Sequence, residues 1–182
     1  MASRRSDSGG RIWPAKLGMC MLRVYTGVLF VMTAHWKLFM PEGSVKDAIV
    51  LFAETDYAAY VQNGIQNPPT VFGWEMQWYS SMLEAVMTGG NAPYVFGGGI
   101  LIFEGILGIC LILGVATRLF GLLGGLLMLM FAFARGPDLP FYTLKMPNYL
   151  LMMVLFTLAL TAAGRIWGLD AKLRHKLPSW IA

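Results

Sequence analysis

Residues 94–113 read YVFGGGILIFEGILGICLIL, an apolar run with one acid, Glu104, in its middle. At 1.5 Å per residue such a run, wound as a helix, covers a hydrocarbon core ~30 Å thick. Backbone N–H and C=O groups in lipid must pair within their own segment, so the run is expected to be a helix that crosses a membrane.

The rest of the chain agrees with a lipid solvent. Of its 182 residues, 57% are hydrophobic and 13% charged, and the charged share of soluble domains is about twice that. Similar apolar runs occupy residues 17–39, 116–134 and 146–163. The expected fold class is therefore all-α: one integral membrane four-helix bundle spanning residues 17–163. Many of the 21 glycines fall inside these runs, where they suit close helix packing. The net charge of +4 is read as topology and attraction to lipid headgroups, and not as nucleic-acid binding.

Outside the runs lie a tight turn at Gly114–Arg118, a loop at Arg135–Pro140 closed by Lys145–Pro147, and three longer segments. Residues 1–16 are polar and basic and are expected to be disordered. Residues 41–93 form a long insert, acidic apart from Lys46. Within it, Val45–Val61 and Val71–Met87 are expected to form short helices on the membrane surface, separated by Asn67-Pro68-Pro69. Residues 164–182 make a basic tail.

Orientation follows from Lys and Arg. Arg4, Arg5, Arg11, Lys16, Arg118, Arg165, Lys172, Arg174 and Lys176 fall on one side, against Lys46, Arg135 and Lys145 on the other. Both termini are thus expected in the cytoplasm and the insert outside it, in the inner (cytoplasmic) membrane of a cell.

Charges inside apolar runs are the sharpest signal, because each is costly unless paired or hydrated. Apart from Arg118 of the turn, there are three: Arg23, Lys37 and Glu104. Arg23, Gly27, Phe30, Ala34 and Lys37 share one helical face, and Glu104 shares another with Gly97 and Gly108. Depth counted from the expected helix ends brings Arg23 within reach of Glu104, so these two are expected to interact. The pair can be read as a structural lock between the first two spans or as a proton-handling or headgroup site. Gly121 and Gly125 form a close-contact motif on the third span.

His35, Trp36, Trp74 and Trp78 are candidates for a quinone or interfacial contact near the outer surface. His35 and His175 fall in opposite compartments, so no histidine metal site is expected. Cys20 and Cys110 show no CxxC or cluster spacing and are expected to act as small apolar residues.

Three motifs together resemble those of the DoxX-like membrane proteins. These are Leu22-Arg23 with Gly27 and Lys37-Leu38-Phe39; Glu104-Gly105 with the run Leu107–Gly114 and Thr117-Arg118; and Gly164-Arg165-Ile166-Trp167-Gly168-Leu169-Asp170. The resemblance implies a four-helix membrane bundle. It also implies a link to redox chemistry, since one branch, the thiosulfate:quinone oxidoreductases, passes electrons to membrane quinone. No covalently bound cofactor is expected, and a quinone is the candidate ligand. Lacking haem, flavin or cluster motifs, the chain would need an electron-donating partner. The alternative is a non-catalytic accessory subunit that docks on a larger membrane protein complex through its Trp-bearing insert. A carrier or channel is less favoured, because the spans show neither breaks nor repeats.

Overall fold

The computed structural model describes residues 9–39, 41, 43–71, 74–87, 91–134, 147–173, 175–176 and 178. These are mostly helical. The expected loop at Arg135–Pro140 and the residues before Gly9 lie outside the described residues. Four apolar helices carry the fold: α1 (Gly9–Phe39), α5 (Ala92–Leu113), α6 (Thr117–Ala134) and α7 (Pro147–Leu160). In α1 the stretch Pro14–Phe39, and the whole of α5 and α6, are long and apolar enough to cross a membrane. The fourth run is shorter than expected. Its helix α7 has 14 residues, or ~21 Å.

Helix α1 begins earlier than the sequence suggested. Residues 9–16, expected to be disordered, continue the helix outward, because adding turns to an existing helix costs little once its nucleus is formed. Pro14 is accommodated within this extension.

Two antiparallel pairs build the body, α1 with α5 and α6 with α7. Glycine sets the close approach in the first. A Cβ on Gly27 would lie 2.7 Å from the Gly108 carbonyl oxygen, and one on Gly108 2.7 Å from that of Gly27. In the second pair, Gly121 faces the Leu155 backbone and Gly125 faces the Phe156 ring. Gly97 does not serve a pair of long helices. It packs on Ala53 and Tyr57 of the insert.

The insert folds onto the body. Ser44 and Asp47 form a reciprocal cap that starts α2 (Val45–Phe52). The chain then widens into a π-helical turn, Ala53–Tyr57, and continues as α3 (Ala58–Gln66). Val71, Trp74 and Glu75, expected to be helical, are instead extended after Pro68-Pro69, with β1 (Thr70–Val71) antiparallel to β2 (Trp74–Glu75). Thr, Val and Trp suit a pleated surface better than a first helical turn. Helix α4 (Gln77–Met87) follows. A second core forms here from Phe52, Tyr57, Val61, Tyr79, Leu83, Leu101 and Ala134. Two insert side chains also satisfy carbonyls at the end of α6: Tyr79 Oη donates to Met130 O at 2.7 Å, and Asn63 Nδ2 to Ala134 O at 2.6 Å. The Ala134 carbonyl is one that the helix end leaves without an intrahelical partner.

Candidate functional site: a cavity beside a buried ion pair

The expected Arg23–Glu104 interaction is not formed. Gly27 lies beside Ile112, Val31 beside Gly108, and Ala34 beside Gly105. This antiparallel register sets Glu104 level with His35, which leaves Arg23 ~18 Å away along the helix. The depth count failed because α1 extends past the end of α5, so the two helices share no common starting level. The two cations of the α1 stripe consequently do different work.

Arg23 belongs to a polar knot at the end of the body opposite the insert. Its Nη1 donates to Ala163 O at 2.8 Å and Ile166 O at 3.1 Å, and its Nη2 to Cys20 Sγ at 3.8 Å. The residue is 2% exposed. Across the knot, the fully buried Asp170 accepts from Ala116 N–H at 2.7 Å and Thr117 N–H at 2.9 Å. A carboxylate at the first turn of α6 pairs orphan donors and complements the helix dipole. Asp170 N–H donates to Gly114 O at 2.8 Å, and Leu169 N–H to Leu113 O at 3.1 Å. Gly114 closes α5 at φ +67° with Gly168 against it. The segment expected to begin a basic tail is therefore built into the fold, and it carries the short helix α8 (Asp170–Leu173). Parts of all three motifs behind the resemblance meet in this knot, and its bonds are those of a structural fastening.

The remaining charges meet elsewhere. Lys37 Nζ lies 2.9 Å from Glu104 Oε2, with the two side chains 23% and 4% exposed. The ammonium also lies 4.7 Å from the centroid of the Phe52 ring, a cation–π distance. The pair sits in the wall of a cavity of about 300 Å³. Helix α1 contributes Leu29, Phe30, Thr33 and Lys37; the insert gives Phe52, Asp56 and Tyr60. Glu104 comes from α5, Met128 and Phe131 from α6, and Asn148 and Leu151 from α7. The volume is at the lower end for ligand sites, and the mix of apolar walls with a few converging polar groups is typical of them.

The π turn explains how three insert residues reach this wall. On a regular α-helix, Phe52, Asp56 and Tyr60 would drift by about 80° over two four-residue steps. A wider turn takes up that drift, and π turns are often found at functional sites.

A second cavity of about 320 Å³ adjoins the first and shares Lys37, Phe52 and Asp56 with it. Trp36, Pro41, Ala48, Leu51 and Thr55 complete it. Of the expected quinone or interface residues, only Trp36 lines either cavity. His35 is exposed and packs edge-on against Phe39. Trp74 and Trp78 are exposed on the insert, at 81% and 56%. Asp56, Tyr60 and Asn148 were missed from the sequence. Their only signal was a polar residue on an otherwise apolar face, which the insert shows several times. Among the described residues, no group of three metal-ligating side chains occurs. Comparisons with protein-family models, curated proteins and solved structures gave no match to this chain.

Proposed function

We propose that this chain is a DoxX-like integral membrane protein whose four helices cross the bilayer, with both termini cytoplasmic, and that it binds a quinone beside Lys37 and Glu104. In this reading it is the quinone-handling part of a redox system, and a partner protein supplies the electrons. The observation that carries the proposal is the Lys37–Glu104 pair in the wall of a largely apolar cavity.

The charge inventory supports a neutral ligand. One ammonium and two carboxylates line the cavity, which disfavours an anionic headgroup. Phe30, Phe52 and Phe131 offer ring faces, and Lys37 Nζ and the Asn148 amide offer donors suited to ring carbonyls. A bound quinone would supply two-electron, two-proton chemistry. Glu104, screened from water by the helices around it, is placed to hold or release a proton there. Lys37 balances its charge and orients the carbonyl that receives the proton.

The test is quinone binding by the purified chain in mild detergent, followed through tryptophan fluorescence. Lys37→Met is expected to weaken binding roughly 10-fold, or about 1.4 kcal/mol. Unchanged affinity would remove Lys37 from the site, and wild-type protein that binds no quinone defeats the reading. A second reading, an accessory subunit, is favoured by the exposure of Trp74 and Trp78 on the insert. It requires a stoichiometric larger partner that is lost when both residues become Ser.

A further inference from the structure

The two adjoining cavities have a consequence for how protons reach Glu104. We propose that the insert provides a proton route to the buried ion pair, with Asp56 as the relay carboxylate and Lys37, held against Phe52, as the gate. It rests on the reading of the cavity as a proton-coupled redox site.

The two cavities share a wall. Lys37, Phe52 and Asp56 belong to both cavities, so whatever passes between them passes these three side chains. Asp56 is exposed, whereas Glu104 is buried. Asp56 can therefore exchange protons with water at the insert surface, and it shares the wall of the first cavity with Glu104. The π turn holds Asp56 on the same wall as Phe52 and Tyr60.

The charges fix how the relay works. Among the described residues, the titratable side chains facing the inner cavity are Lys37 from α1, Asp56 and Tyr60 from the insert and Glu104 from α5. Helices α6 and α7 present only Met128, Phe131, Asn148 and Leu151. A proton from outside binds the Asp56 carboxylate and makes it neutral. The same proton then passes through water in the cavities to Glu104, which becomes neutral as Asp56 regains its charge. The Lys37 side chain follows the negative charge, leaving Glu104 and turning toward Asp56. When Glu104 gives its proton to the redox reaction, the Lys37–Glu104 pair re-forms. No step strands a bare carboxylate in the apolar wall, which is the costly arrangement.

The experiment needs neither quinone nor electron donor. The full chain, reconstituted in sealed vesicles of defined orientation, is given a rapid pH jump. The response of the Glu104 carboxyl is read by time-resolved infrared absorption, its band assigned by its disappearance in Glu104→Gln. A jump on the insert side is expected to give the fast response, and a fast response only from the opposite side would overturn the proposal. Asp56→Asn is expected to slow the insert-side response by roughly 10-fold or more, within the range of a lost proton-transfer group. Asp56→Glu should restore it. Glu54→Gln should leave it unchanged, because Glu54 accepts from Tyr94 Oη at 2.9 Å and lines neither cavity. An unchanged rate in a folded Asp56→Asn chain also overturns the relay. If that variant fails to fold, the sidedness measurement on wild type decides alone. Absence of quinone binding would defeat the proposed function without altering these rates, so the two ideas fail separately.

Discussion

Arg23 and Lys37 look alike on the α1 stripe, but their partners set them apart. Arg23 spends its guanidinium on main-chain carbonyls after α7. Arg23→Leu removes those donors and leaves buried carbonyls unpaired, each costing about 1–3 kcal/mol. A clear loss of thermal stability is expected, while quinone affinity measured on the folded fraction stays unchanged. Asp47 offers a pH readout outside the apolar helices. Hydrogen bonds from the Ser44 backbone N–H and hydroxyl hold its carboxyl below the ordinary value of 3.8. A lowered folded value means that this cap stabilises α2 fully above pH 3.8 and is lost as pH falls through the folded value. Amide exchange at the start of α2 should accelerate in that acid window, and Asp47→Asn should abolish the pH dependence.

Between elements, glycine and charge join α1 to α5 at different levels. Gly27 and Gly108 allow backbone contact, and Gly27→Leu should push the helices apart at a cost of about 1–3 kcal/mol. Thermal unfolding measures it, with Gly18→Leu as control because nothing lies within 4 Å of a Cβ there. The ion pair is a second, more conditional tie. Lys37→Met leaves Glu104 buried without its counter-charge and is expected to cost about 3 kcal/mol. Adding Glu104→Gln should recover much of that loss, so the double variant is more stable than Lys37→Met alone. Strict additivity in this cycle would mean that the two side chains are not coupled.

At the scale of the molecule, the insert joins the body instead of lying apart from it. It buries Tyr79 and Phe52, satisfies the end of α6 and forms one wall of the cavity. Burial raises the ionisation of the Tyr57 and Tyr79 phenols above the ordinary tyrosine value of 10.0, which leaves Tyr79 Oη a donor over the neutral range. The proposed orientation has its own test. A reporter active only in the cytoplasm should work when fused after Ala182 and fail when placed in the insert.

The amino-acid sequence determined the long helices, the three charges within apolar runs and the small-residue faces, because apolar run length, charge cost and 3.6-residue periodicity are local properties. It also exposed Arg23, Glu104 and the glycines of the close contacts before any geometry was known. Tertiary structure alone decided which charge meets which, since that depends on the register between α1 and α5, and register is set where Gly27 meets Gly108. It alone brought Asp56 to the cavity, because a π turn and the docking of the insert are needed to carry a carboxylate from residue 56 to a wall shared with residues 37 and 104.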